Sequence, residues 1–168
     1  MPFEVDEVEA QSGSRLALVA LVGLNLRMME NWRRTQLEAW GETLDYESTM
    51  ILLAVIAIGG ERLTRTSLTP DFRDLACPVP MELLGKCNVT SIAAATGLNR
   101  ETVRRKVQRL ERKELLIRDG KRSFRIVPAI MQSDMARELV RSQLEALRRT
   151  MNHLSRAGIF RSRTKTRR

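Results

Sequence analysis

The sequence predicts a mainly α-helical protein carrying one small β-hairpin. Of 168 residues, 43% are apolar and 29% charged, but only four Phe, two Trp and one Tyr are aromatic. That composition supports a core while leaving too few rings for a sandwich or a base-stacking sheet. Long stretches at both ends favour helix, with apolar residues returning at helical spacing. A single Asp-Gly between β-favouring residues marks the hairpin. The length suits one domain of ordinary size, or a small domain with dimerisation arms.

The formal charge of +9 is unevenly placed. Residues 1–60 carry four basic and nine acidic groups, and residues 61–168 carry twenty-five and eleven. Within the second part, 100–125 holds eleven basic against four acidic groups, and 148–168 holds eight against none. This polarity suits a polyanionic partner gripped by the C-terminal part. A solvated basic face with a frayed tail accounts for the same counts. The acidic start lacks the positive region of an export signal. The most apolar stretches, Leu16–Leu26 and Met50–Gly60, are eleven residues each, short of the about 20 a membrane span needs. A cytoplasmic protein with no membrane association is expected. Cys77 and Cys87 form no disulfide framework and no zinc spacing.

In chain order, 1–13 reads as a flexible acidic leader and 14–60 as a helical N-terminal region for core or dimerisation. Its first helix runs from Ser14 to about Trp40, placing Leu21, Met28, Met29, Trp32 and Trp40 near one face, and Gly41 stops it. Monomer core and dimer seam both explain that face. Asp45 or Ser48 opens a second helix, buried on most sides through Met50–Ile58, and Gly59-Gly60 closes it. Residues 61–87 form an irregular connection with a short helix around Met81–Gly85. After Pro128 a helix extends to about 157. Its Val140, Leu144, Leu147, Met151 and Leu154 recur at steps of four and three, a seam that needs a neighbouring helix or a second subunit. Residues 158–168 are a basic tail.

The informative segment is 88–127. Asn88 caps a short helix containing Ile92 and Ala95. Ala93 stands four residues before Gly97: the small residue lets a second helix approach, and the glycine supplies a left-handed turn. Leu98 enters the core and Asn99 caps the helix 100–113. There Val103, Val107 and Leu110 share one narrow face. At about 100° per residue, Glu101, Arg105, Gln108 and Arg112 lie opposite, with Arg100 and Arg104 on one flank. Arginine can pair bidentately with a guanine edge, and Glu can accept from a cytosine amino group. Glu101 also suits the positive end of its helix, and the two roles compete. Next come Leu115–Arg118, Asp119-Gly120 and Lys121–Val127, the expected hairpin over 117–127. Phe124 and Ile126 face inward and Ser123 and Arg125 outward, leaving Lys121, Arg122 and Arg125 for phosphates. Helix, glycine turn, cationic helix and hairpin in this order make a winged helix-turn-helix, flanked by N- and C-terminal dimerisation helices.

Asn99-Arg100-Glu101-Thr102-Val103, after Ala93-x-x-x-Gly97 and before Leu110-Glu111-Arg112-Lys113-Glu114-Leu115-Leu116-Ile117, resembles the DNA-binding end of Crp/Fnr-type bacterial regulators. The layout of helices around a central winged helix is similar to MarR-like dimeric regulators. The resemblance covers about 40 of the 168 residues and implies that Arg100, Glu101 and Arg105 reach base edges. No cyclic-nucleotide-binding β-roll fits ahead of the segment, and Arg104 stands where the Crp pattern often has a small residue.

The expected function is sequence-specific binding of double-stranded DNA by a homodimeric transcription regulator. Base contacts are expected from Arg100, Glu101, Arg105 and Gln108. Backbone contacts are expected from Thr90, Ser91, Thr102, Arg104, Arg109, Lys121, Arg122 and Arg125. A winged-helix protein adaptor and an RNA-binding module are the alternatives. No phosphate loop, nucleophile elbow or metal constellation is present and His153 is the single histidine, so neither an enzyme nor a cofactor is expected. A small-molecule effector could sit between the apolar helices and the DNA-binding segment, but ordinary core packing explains the same residues. A redox role for Cys87, its pKa lowered by Lys86, competes with that of an inert cysteine.

Overall fold

The computed structural model describes residues 7–8, 13–65, 77, 79–80 and 83–161. It is mainly helical with a small three-stranded antiparallel sheet. The chain divides into two compact units, one of residues 1–38 with 138–168 and one of residues 39–137.

The first unit holds most of α1 (Ser14–Trp40) and α6 (Asp134–Arg156), with a two-stranded pairing of β1 (Glu7–Val8) and β5 (Phe160–Arg161). Part of the expected leader and part of the expected tail are thus strand; 1–6, 9–12 and 162–168 lie outside the described residues. α1 ends where expected, with Gly41 at φ +70°. Its buried residues are Leu24, Thr35 and Gln36, whereas Leu21 and Met29 of the expected face are exposed. On α6, Leu139, Ala146, Thr150 and Leu154 are buried, and Val140 and Leu144 of the expected seam are exposed. Polar side chains also pair in this unit. Arg27 Nη2 donates to Thr150 Oγ1 at 3.0 Å, and Gln143 Nε2 donates to the Met28 carbonyl at 2.9 Å. Leu147 and Met151 of the seam are half-buried and Leu154 is buried, so the seam faces outward only over its first part.

The second unit contains α2 (Tyr46–Arg65), β2 (Cys87–Asn88), α3 (Val89–Thr96), α4 (Arg100–Arg112), β3 (Leu116–Arg118), β4 (Ser123–Ile126) and α5 (Pro128–Met131). Asp45 opens α2, its carboxylate accepting from the Ser48 amide at 2.9 Å. From Met50 to Ile58 every residue except Ala57 is buried or half-buried. The helix does not stop at Gly59-Gly60 but continues to Arg65. The bare backbone there serves a close approach instead: the Gly85 amide donates to the Gly59 carbonyl at 2.8 Å, and a Cβ on Gly85 would stand 2.9 Å from the Ile58 oxygen. Residues 83–86 are turn, bend and irregular chain rather than the expected short helix, whose 81–82 lie outside the described residues.

The three-stranded sheet has the order β2-β4-β3, with Leu116 opposite Ile126 and Cys87 opposite Phe124. β2 was not visible in the sequence because two residues carry no alternation. α2 packs on α3, α4, β2 and β4, and Ile51, Leu52, Val55, Ile92, Val103, Val107, Leu110 and Leu116 make the core. The expected single helix after Pro128 is broken at 132–133, where Ser133 Oγ accepts from the Ala136 amide at 3.2 Å and opens α6.

Gly97 sits at φ +71° with its amide bonded to the Ala93 carbonyl at 2.9 Å. A side chain there meets no neighbour, so the cost of adding one is conformational. Gly97→Ala is expected to lower the unfolding free energy by about 1–2 kcal/mol, measured as an earlier midpoint in urea at unchanged slope.

Candidate nucleic-acid interface

α3 is set by reciprocal capping. Asn88 Oδ1 accepts from the Ser91 amide, and Ser91 Oγ accepts from the Asn88 amide, both at 2.9 Å. Ser91 Oγ also donates to the Asn88 carbonyl. The hydroxyl of Ser91, expected to contact the DNA backbone, closes the helix start. After the Gly97 turn, Asn99 Oδ1 accepts from the Glu101 amide at 2.8 Å and starts α4. Val103, Val107 and Leu110 are 0% exposed. With that stripe inside, Arg100, Glu101, Arg104, Arg105, Gln108 and Arg112 are all exposed. Glu101 is not isolated: Arg104 Nη2 stands 2.7 Å from its carboxylate. Such an exposed pair is worth about 0–1 kcal/mol and exchanges readily for another anion.

The two flanks of α4 differ. Toward the hairpin, a groove of about 350 Å³ is lined by Thr90, Arg104, Gln108, Arg118, Lys121 and Arg122, among others. Toward the start of α2, Lys106 Nζ lies 2.7 Å from Asp45 and 3.3 Å from Glu47. Lys113 pairs with Glu42, and Arg109 Nη1 lies 4.0 Å from Asp45. Arg109, with Thr102 at the same flank seven residues earlier, is therefore on the acid-lined side.

Arg125 departs from its expected outward position. It is buried, with Nε 2.5 Å from Asp119, which also lies 3.2 Å from Lys86. The Asp119 amide donates to the Ser123 carbonyl at 2.9 Å, closing the hairpin loop and bringing its carboxylate over β4. Hydrogen bonding from Lys86, with the Arg125 charge nearby, holds the Asp119 carboxyl below its ordinary range. Lys86 is thus committed to Asp119, and Cys87 is buried, its Sγ 3.2 Å from the Phe124 carbonyl. Burial pushes the Cys87 thiol up to about 11. Burial and the bond to Phe124 disfavour the thiolate, which favours the inert reading of Cys87.

Arg118 escaped the sequence reading. Its Nε and Nη2 lie 3.1 and 3.0 Å from the two Glu111 oxygens, and its guanidinium carbon lies 5.1 Å from the Phe124 ring centroid. Glu111 and Arg118 stand on different elements, so no helical or strand spacing announces the pair. Among the described residues no group of three His, Cys, Asp or Glu is placed to hold a metal ion, and no helix is long and apolar enough to cross a membrane. Comparison with protein-family models, curated proteins and solved structures finds no match to this chain.

Burial pushes the Asp45 carboxyl up, but bonds from Lys106 and Ser48 outweigh it and hold the group at about 2, below its ordinary 3.8. A depressed carboxyl stabilises the fold above its unfolded pKa and loses that contribution as pH falls through the folded value. Asp45→Asn keeps a helix cap and removes the charge. The stability gap between wild type and variant is expected to be full near neutrality and to close as pH falls from 3.8 toward about 2, read from urea unfolding across that range.

Proposed function

We propose that the chain is a sequence-specific DNA-binding transcription regulator of winged helix-turn-helix type, acting as a homodimer. The observation that carries this reading is α4. Its inner face is wholly dry, and its outer face presents Arg100, Arg105, Gln108 and Arg112 to solvent. Guanidinium and amide groups on one rigid helix face are the chemistry of major-groove base edges. Arg100, Glu101, Arg105 and Gln108 read bases in this proposal, and Thr90, Arg104, Lys121 and Arg122 hold the backbone from the α3 start and the hairpin wing. Arg109 and Thr102 reach the backbone only on the acid-lined flank, and Arg125 acts within the wing rather than on phosphate.

The homodimer is supported by the outer side of α1, where Leu18, Val22, Leu26 and Met29 are exposed at steps of four, four and three. A contiguous apolar face of this kind marks an association surface. A two-fold dimer would set two α4 helices into successive major grooves about 34–36 Å apart.

The test is a fluorescence-anisotropy titration of random and selection-enriched duplexes at two salt concentrations. Tight binding to an enriched inverted repeat, with weak salt-sensitive binding to random DNA, supports the reading. Absence of binding to both at low salt overturns it in favour of a protein or RNA partner. Arg105→Ala is expected to cost about 1–3 kcal/mol on the best site and to relax base preference there; equal loss on random DNA would remove its base-reading role. Lys121→Ala is expected to weaken every duplex alike and make the plot of log K against log salt shallower by about one.

A further inference from the structure

We infer that Arg118 is a pre-set backbone-contacting residue, which holds a DNA phosphate of its own in the groove between α4 and the hairpin, beside those met by Lys121 and Arg122. The inference rests on the DNA-binding reading and adds to it a residue that no sequence pattern marks. Four cations, Arg104, Arg118, Lys121 and Arg122, line this groove. Among the described residues, Glu101 and Glu111 offset them, through Arg104 and Arg118. Like charges gathered at one concavity repel unless an anion joins them, and a phosphodiester supplies that anion.

Arg118 is prepared for the role in a way its neighbours are not. Glu111 takes its Nε and Nη2 edge in two bonds, and the Phe124 ring supports the guanidinium plane. Holding the arm in one place removes in advance the side-chain entropy that a free arginine loses on binding. The Nη1 group remains. It lies 3.5 Å from the Lys121 carbonyl, at the weak limit of a hydrogen bond, and so has capacity for a stronger acceptor. The side chain is about half exposed and lines the groove. A strap with a purely internal purpose needs neither feature.

The test compares wild type, Arg118→Ala and Arg118→Lys on the enriched and the random duplex over about 50–200 mM salt. Each phosphate contact contributes about 0.9 to the salt slope. Arg118→Ala is therefore expected to flatten the slope by that amount on both duplexes, so that its affinity falls about 3.5-fold less than wild type across the range. Arg118→Lys, which keeps the cation but loses the fork to Glu111, is expected to restore the slope while binding more weakly than wild type. An Arg118→Ala protein with the wild-type slope, whether its affinity falls or not, overturns the inference and leaves DNA binding intact. A wild-type protein that binds neither duplex overturns both together.

Discussion

The dry contact of α4 with α2 and α3 is the constraint on which the second unit depends. Val103, Val107 and Leu110 have no exposed surface, and removing each such side chain from water is worth about 1.5–3 kcal/mol. That stripe leaves α4 one acceptable rotation. A turn of one residue about its axis, about 100°, would carry Arg104 toward the core and Val103 out of it. The outward display of arginines is thus a consequence of apolar packing. The Gly97 turn and the small Ala93 matter because they let α4 lie close enough for the stripe to seal.

Electrostatics then divides the cations of this region by use. Lys106, Lys113 and Arg109 face carboxylates at the start of α2, and Arg125 is drawn under Asp119. The exposed Arg109–Asp45 pair adds little stability, whereas Lys106 and Arg125 are largely withdrawn from solvent. The effect of these pairs is positional, because they leave the free positive surface on one side of α4 and along the hairpin. The cationic surface is narrower than the count of eleven basic residues in 100–125 suggests. Its edge toward the hairpin is the side where Arg104, Arg118, Lys121 and Arg122 converge.

The first unit buries polar side chains beside apolar Leu24, Leu139, Ala146, Leu154 and Ile159. Thr35, Gln36 and Thr150 are buried, while Leu18, Val19, Val22, Leu26 and Met29 face solvent. A buried polar residue is tolerable only when bonded, and the Arg27–Thr150 and Gln143–Met28 bonds meet part of that demand. The exposed apolar side chains lie together on the outer side of α1. Such a surface is costly in water for an isolated chain, and the proposed dimer would relieve it.

Much of this fold was legible in the sequence wherever one local rule acts alone. Asn88 and Asn99 as caps, Gly41 and Gly97 as left-handed stops, the Val103-Val107-Leu110 stripe and the Asp119-Gly120 hairpin follow from backbone sterics and a 3.6-residue period. What only the tertiary structure decided involves partners distant in the chain. Gly59-Gly60 looks like a helix end but serves the approach of Gly85. Arg125 looks like an outward cation until Asp119 covers it, and Arg118 looks ordinary until Glu111 and Phe124 hold it. The seam residues Val140 and Leu144 are exposed although their spacing marks them for the interior, while Gln143 and Thr150 make hydrogen bonds to α1 that no periodicity encodes. Local sequence sets which face of a helix can be dry; the positions of remote partners set which of its polar groups are spoken for.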